Sequence, residues 1–331
     1  MANQVALSIQ GLEKSFGRVR VLRGLDLEVP MVPDSAVAVL GQNGAGKTTL
    51  LNVVTRLVPP DGGAIRVFDE SVLARPAHRL VELGETRTIR LASMLSCATF
   101  RLPAMLAVQA AQVDAMSGGR LELGIGAGWV EPEHRAYGIP FPGPAERLER
   151  LVEQIEIVLG MWATTEGETF TYNGAHYVLT ECPALPKPVQ RPRPPLILGG
   201  KGPLRTPRIA ARYADEFNVA FDTLANVGAQ LARARAACER IGRDPASLLC
   251  SVAVTTTLGR TSGEAAARVA TLGDDIARLK IGPGLAGTIE EARERIGTYA
   301  GMGVARLYLQ MKDLEDLDQL DLVAEELLGS T

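Results

Sequence analysis

The 331-residue chain has no large excess of charge, no apolar run long enough to span a bilayer and no paired cysteine motif. The formal net charge of −3 gives no electrostatic reason to expect nucleic acid or an anionic membrane as a partner. Its four cysteines include no CxxC pair and none at metal-ligand spacing from a histidine, which favours reduced thiols in a cytoplasmic protein. The N-terminus has no basic start followed by an apolar stretch, so neither a signal peptide nor direct membrane insertion is expected.

Two patterns divide the chain. Up to about residue 75, apolar and polar positions alternate as in strands, for example over 19–29, and a short apolar run at 36–40 enters a glycine-rich turn. A helix is predicted at 48–57, after that turn. From Ile89 onward, segments typical of strands alternate with segments typical of helices.

The second pattern predicts parallel strands joined by crossover helices, in a doubly wound sheet or a (β/α)8 barrel. The predicted strands are 89–95, 121–126, 195–199, 215–220, 249–257 and 304–311. The predicted helices are 103–116, 144–162, 204–213, 223–241, 262–279, 288–301 and 315–328. Capping boxes are expected at Thr261 with Glu264 and at Thr288 with Glu291. A hairpin is predicted to interrupt the alternation at 169–179.

The glycine-rich turn has the GxxxxGK[ST] spacing of a phosphate-binding loop, after a predicted strand and before a predicted helix. Its glycines allow successive backbone N–H groups to converge on an anion at a helix N-terminus. Lys47 would contact the outer phosphates of a nucleotide, and Thr48 would offer its hydroxyl to Mg²⁺. The candidate nucleotide-binding residues here are Gly41, Asn43, Gly44, Gly46, Lys47, Thr48 and Thr49.

The residues around this loop resemble the start of an ATP-binding-cassette ATPase. The resemblance lies in LSIQGLEKSFG (7–17), VLRGLDLEV (21–29), the loop itself and PDGGAIRVF (60–68). It implies that Phe16 occupies the position that stacks on adenine. The likeness stops near residue 75, and no Walker B strand ending in Asp-Glu follows, so Mg-ATP binding is conceivable here but hydrolysis is not expected.

The rest of the chain resembles the luciferase-like monooxygenases, especially their deazaflavin-dependent branch. The likeness is carried by the long stretch IRLASMLSCATFRLPAMLAVQAAQVDAMSGGRLELGIGAGW from residue 89 and by ALPKPVQRPRPPLILGGKGPLRTPRIAARYADEFN from residue 184. It implies a (β/α)8 barrel whose active site lies at the C-terminal ends of the strands. It also implies F420 or FMN as cofactor and a small organic substrate.

Cofactor-binding residues follow from this resemblance where the matching strands end. Ser96 and Cys97 fall in a bulged segment that supports the flavin ring in the family, and Gly126 and Gly128 end the next strand. Gly199, Gly200 and Gly202 form the turn that holds the phosphate-bearing tail of the cofactor. No residue is assigned a catalytic role, and His134 is a family-typical histidine without a general chemical duty.

The join between the two resemblances raises a question about closure. Family barrels have two βα units before the strand at Ile89, whereas this chain has the cassette-like segment. We expect an imperfect barrel over 88–331 with a semi-independent segment over 1–80; a hybrid barrel closed by the phosphate-loop unit is the alternative. The predicted function is hydride-transfer oxidation or reduction, with a homodimer conceivable. The alternatives are an ATP-binding transporter fragment and an inactive fusion.

Overall fold

The computed structural model describes residues 5–17, 19–30, 50, 53, 60–67, 70–71, 89–273, 279, 282, 284–313 and 316–328. The predicted strand at 36–40 and most of the predicted helix at 48–57 lie outside these ranges, although Leu50 and Val53 are helical and buried. None of the helices in these ranges is long and apolar enough to cross a membrane.

The front of the chain forms a four-stranded antiparallel sheet in the order β2-β1-β3-β4. Its strands are β1 (Val5–Phe16), β2 (Val19–Pro30), β3 (Gly62–Val67) and β4 (Glu70–Ser71). Ile9, Leu12 and Ile65 are fully buried in a small core beside this sheet. Asp61, just before β3, accepts hydrogen bonds from the Lys14 ammonium at 2.8 Å and from the Ser15 backbone N–H at 2.6 Å.

From residue 91 the strands form one parallel sheet. They are β5 (Leu91–Ala92), β6 (Ser96–Cys97), β7 (Leu121–Gly126), β10 (Leu196–Gly199), β11 (Glu216–Ala220), β12 (Leu249–Gly259), β13 (Gly284–Thr288) and β14 (Arg306–Gln310). Both β5 and β6 pair with β7, and the next strands in the sheet follow in chain order from β7 through β10 and β11 to β12. The long β12 then pairs with β14 over 251–255 and with β13 over 255–259. An antiparallel hairpin, β8 (Phe170–Asn173) and β9 (Val178–Cys182), confirms the predicted interruption.

In the described part of the chain from residue 89 onward, eight α-helices alternate with these strands. They are α1 (Pro103–Met116), α2 (Glu131–Ala136), α3 (Pro144–Ala163), α4 (Arg205–Tyr213), α5 (Leu224–Arg240), α6 (Ser262–Thr271), α7 (Ile289–Gly301) and α8 (Leu317–Val323), which a π turn extends to Leu328. The predicted bounds of α1 and β7 are confirmed. Helix α6 is described as far as Thr271, and Gly273 after it takes a left-handed φ of +65°. Of the last six residues of the predicted helix, 274–279, only Leu279 is described, and it is helical. Thr288 and Glu291 form the complete predicted capping box. The box predicted at Thr261 is incomplete, because the Glu264 carboxylate accepts from the N–H of Arg260 and not from that of Thr261.

The two faces of the parallel sheet differ because side chains alternate along each strand. On β7, Leu121, Leu123 and Ile125 pack against the helices, while Glu122, Gly124 and Gly126 face the interior of the barrel. Among the described strands, none of β1–β4 hydrogen-bonds to the parallel sheet. The described chain is therefore an open (β/α) barrel with a separate front sheet, which agrees with the expectation of an incomplete barrel.

Candidate active site

A bulge lies between β5 and β6 at the start of the parallel sheet. Ala92 pairs with Glu122 and Ser96 pairs with Ile125, so three residues face two on β7 and one is extra. The Ser93 hydroxyl bonds both the N–H and the carbonyl of Gly124 at 3.0 Å. A Cβ on Gly124 would collide with the Ser93 carbonyl, so the bulge requires a glycine opposite it.

The bulge turns the side chain of Leu95 into the mouth of the barrel. Leu95 lies over Gly126 and Gly199, and a Cβ on Gly199 would collide with it. Inside the barrel, Leu95 and Met94 pack with the apolar side chains of Ile197, Ala220, Phe221, Ala253 and Tyr308. The glycines at the ends of β7 and β10 thus make room for Leu95. These glycines and the Leu95 side chain form an apolar floor at the mouth.

At the end of β6, three side chains form a hydrogen-bonded chain that was not predicted from the sequence. The Cys97 Sγ lies 2.9 Å from the Thr99 Oγ1, which lies 2.6 Å from the His134 Nε2. A direct contact from Cys97 Sγ to His134 Nε2 measures 3.8 Å. A Cβ on Gly128, where φ is +81°, would collide with Cys97 Sγ. Gly128 therefore lets the loop after β7 lie against the thiol.

Burial and hydrogen bonding fix the ring of His134. The side chain is only 1% exposed, between the edges of the Phe100 and Phe141 rings at centroid distances of 4.7 and 4.5 Å. Its Nδ1 lies 2.8 Å from the Val130 carbonyl, which can only accept a hydrogen bond. In the neutral ring Nδ1 therefore carries the proton, and Nε2 accepts a hydrogen bond from the Thr99 hydroxyl.

Ser96 and Trp129 occupy different environments. Ser96 is buried, and its hydroxyl accepts a hydrogen bond from the Arg101 guanidinium at 2.8 Å. Gln154, fully buried on α3, bonds the carbonyls of Ala98 and Arg101 and so holds the loop that follows β6. The Trp129 side chain is 81% exposed, so it is not a core residue.

After β10, the glycine turn of residues 199–202 leads into α4. A Cβ on Gly202 would lie 2.5 Å from the Thr206 hydroxyl oxygen. The two nearby cations are engaged: Lys201 donates to the Phe221 carbonyl at 2.6 Å, and Arg205 lies 3.5 Å from Glu149. Because both cations are already engaged, the N-terminus of α4 is the feature beside this turn that suits an anion.

The opposite side of the mouth is polar. Thr255 on β12 and Gln310 on β14 both face the interior, and the threonine hydroxyl lies 3.3 Å from the Gln310 amide oxygen. One layer deeper, the fully buried Asn218 donates to the Ser251 hydroxyl at 2.9 Å.

Arginine and glutamate side chains fill the N-terminal end of the barrel interior. Arg306 contacts Glu122 at 2.6 Å and Glu216 at 2.8 Å, and Arg90 contacts Glu122 at 2.5 Å. Burial raises the pKa of Glu216 above its usual value, against the hydrogen bond from Ser251 and the charge of Arg306. This layer lies at the end of the barrel that supports stability, away from the strand ends where barrel enzymes place chemistry.

In the front segment, Phe16 is described and its side chain is 51% exposed, with the Lys14 ammonium 5.5 Å from the ring centroid. The predicted loop residues Gly41, Asn43, Gly44, Gly46, Lys47, Thr48 and Thr49 lie outside the described residues. Among the described side chains, no cluster of histidine, cysteine and carboxylate groups could hold a metal ion.

Two family models match different parts of the chain. The model of the luciferase-like monooxygenases matches residues 81–279, and that of the ABC transporters matches residues 22–100. The chain belongs to the luciferase-like monooxygenase family. Its front segment resembles the start of an ABC transporter ATP-binding protein, and the two matches overlap over residues 81–100.

Curated relatives match only parts of the chain. It is 33% identical over 135 residues to the FMNH(2)-dependent dimethylsulfone monooxygenase of Pseudomonas putida, which is 40% of this chain and 36% of that protein. Over 168 residues it is 30% identical to the pyrimidine monooxygenase RutA of Escherichia coli, covering 48% of this chain and 42% of RutA. The branched-chain amino acid transport protein BraF of Pseudomonas aeruginosa is 36% identical over 84 residues, 25% of this chain and 32% of BraF. The chain thus spans less than half the length of these relatives.

Solved structures agree on the fold. The monooxygenase RslO1 of Streptomyces bottropensis superimposes with a TM-score of 0.62 at 24% identity, covering 76% of this chain and 82% of RslO1. The F420-dependent tetrahydromethanopterin reductase of Methanopyrus kandleri also gives 0.62, at 16% identity over 76% of this chain and 86% of that one. At these identities the likeness establishes the barrel fold alone.

Proposed function

We infer that this chain is an oxidoreductase that binds a flavin or deazaflavin at the C-terminal ends of its parallel strands and exchanges a hydride with a small organic molecule. The observation that carries the inference is the bulge between β5 and β6, which places Leu95 across the glycine ends of β7 and β10. An apolar floor among backbone groups suits a flat ring system. Family membership supports the same class of enzyme.

The residues present fit such a cofactor in two places. Ser96, Cys97, Gly126 and Gly128 surround the apolar floor and would lie beside the ring. The backbone of the turn at 199–202, at the N-terminus of the nine-residue helix α4, would hold a phosphate-bearing tail. The cofactor would supply the two-electron chemistry, while the protein orients the reactants and excludes water.

One relative is FMNH(2)-dependent and one similar structure is F420-dependent, so we propose that the cofactor is either FMN or F420. The Thr255–Gln310 side of the mouth offers amide and hydroxyl groups to the polar part of a substrate. These groups suit a small molecule with a carbonyl or hydroxyl oxygen.

Spectroscopic titration of the full chain with FMN and with F420 tests the proposal. We expect saturable binding of one of them. Gly202→Ala should weaken that binding, because the added Cβ forces Thr206 to move. Gly297→Ala on α7 is the control, because its added Cβ meets nothing within 4 Å and its φ is not left-handed. Binding of neither compound would contradict the proposal.

A second candidate is nucleotide binding by the front segment. It is favoured by the exposed ring of Phe16 at the end of β1 and by the ABC transporter match at 22–100. Calorimetry with Mg-ATP should then show binding that Lys47→Ala abolishes. A chain that binds neither a flavin nor ATP would be the inactive fusion.

A further inference from the structure

We propose that Cys97, Thr99 and His134 form a proton relay that makes Cys97 the site of covalent addition to soft carbon electrophiles, namely α,β-unsaturated carbonyl compounds. The proposal concerns the thiol itself and does not depend on a bound flavin. It starts from the three side chains at the end of β6, which are joined by contacts of 2.9 and 2.6 Å.

The direction of the hydrogen bonds follows from one fixed acceptor. The Val130 carbonyl must accept, so Nδ1 of the neutral His134 ring donates and Nε2 has no proton of its own. Nε2 therefore accepts from the Thr99 hydroxyl, and the Thr99 oxygen is left to accept from the Cys97 thiol. Each donor in the chain points toward the histidine.

The surroundings keep this arrangement in place. The Phe100 and Phe141 rings bury the imidazole, and the absence of a side chain at Gly128 leaves room for Sγ. Cys97 and Thr99 are only half-buried, so a reagent can approach the thiol while the base stays shielded. A buried base that reaches a partly exposed thiol through a hydroxyl is an arrangement that activates nucleophiles.

The chemical step balances without an oxidant or a metal ion. As the Sγ–carbon bond forms at the β-carbon, the carbon–carbon π bond opens and its electron pair moves toward the carbonyl. The thiol proton passes to Thr99 Oγ1, and the Thr99 hydroxyl proton passes to His134 Nε2. Solvent then protonates the α-carbon, and His134 returns its proton to solvent through the Thr99 hydroxyl, so the net change is addition of S–H across the double bond.

The other three cysteines provide internal comparisons. Cys238 and Cys250 are buried. Cys182 is half-buried like Cys97, but its electrostatic neighbour is the Lys187 ammonium. If Cys97 reacts faster than Cys182, the difference therefore comes neither from exposure nor from attraction of a thiolate by a nearby cation, and the relay accounts for it.

N-ethylmaleimide is the probe, and mass spectrometry of timed digests of the native full chain gives a rate for each cysteine. Because a positioned base contributes about a hundredfold or more to proton transfer, we expect Cys97 to react at least about tenfold faster than Cys182. Thr99→Val keeps the shape but removes the hydroxyl, and should slow Cys97 about tenfold while leaving Cys182 unchanged. Thr99→Ser should restore the rate.

Equal rates at Cys97 and Cys182, or an unchanged Cys97 rate in Thr99→Val, would overturn the proposal. Should Thr99→Val fail to fold, ¹⁵N NMR of the imidazole groups in the unmodified chain decides instead. The relay requires a buried histidine with its proton on Nδ1. A proton on Nε2 would leave no base for the thiol and would equally overturn it.

Discussion

The four strands at the front pair antiparallel and bury a small core, whereas the strands from β5 onward pair parallel and are joined by helices. The front sheet presents the exposed ring of Phe16 at the end of β1. The parallel sheet gathers the C-terminal ends of its strands, and there Leu95, Cys97 and the turn at 199–202 come together. Parallel connectivity creates a shared mouth for chemistry, and antiparallel pairing of neighbouring segments does not.

The largest effect is expected from the core of the parallel sheet. Phe217 on β11 is fully buried, so Phe217→Ala should destabilise the chain by about 3–5 kcal/mol through lost burial and a new cavity. Urea unfolding followed by circular dichroism measures this loss. We expect the loss of stability in the unfolding transition of the barrel. If the front segment binds Mg-ATP, that binding should be unchanged. A loss shared by both regions would show that they unfold as one unit.

The matching change in the front sheet is Ile9→Ala. Ile9 is fully buried in the front core, and its truncation should cost about 2–5 kcal/mol. Because the described residues at the mouth all belong to the barrel, flavin or deazaflavin titration should give the same affinity as for the unmodified chain. A large drop in that affinity would place part of the cofactor site in the front segment.

A smaller effect is expected at the loop after β7. Gly128→Ala adds a Cβ that collides with Cys97 Sγ at a left-handed φ, and should cost about 1–3 kcal/mol. Gly138→Ala is the matched control, because its φ of +64° is similar and its added Cβ meets nothing within 4 Å. Thermal unfolding of the two variants compares the collision with the backbone strain alone. Equal losses would mean that the contact with Cys97 is not tight.

The smallest effect is on acid stability. Hydrogen bonds from Arg260 and Arg268 lower the pKa of Asp318 from 3.8 to about 2, and the hydrogen bond from Lys14 lowers that of Asp61 in the front segment. A lowered pKa stabilises the fold above the unfolded value, and this contribution is lost as the pH falls from about 4 to about 2. Asp318→Asn should reduce that pH dependence only slightly, because the carboxylate is exposed. Unfolding measured at pH 4 and at lower pH checks this; a steeper dependence in the variant would contradict it.

Most of the barrel could be predicted because its helices and strands are periodic. The bounds of α1 and β7 came directly from the sequence, and so did the hairpin at β8 and β9. Strand β13 was missed because GLAGT has no alternation of polar and apolar residues. Helix α2 was missed because six residues do not make a periodic pattern.

The candidate site was less predictable because its contacts join residues that are far apart in the chain. Cys97 and Gly128 were expected at the site, but Thr99 and Leu95 were not. His134 lies 35 residues from Thr99, and only the fold shows that their side chains meet. The glycines at 126 and 199 were predicted from the family resemblance to contact a cofactor, and the structure adds that both accommodate Leu95. A local pattern cannot reveal which side chain fills the space above a glycine.

Hydrogen–deuterium exchange of the full chain, with and without a saturating flavin or deazaflavin, shows where on the chain the cofactor binds. We expect slower exchange in the segments at 93–101, 126–130 and 199–206, and no change in the front strands β1–β3. Slower exchange confined to residues 41–57, or no change anywhere, would contradict the assignment of the cofactor to the strand ends of the barrel.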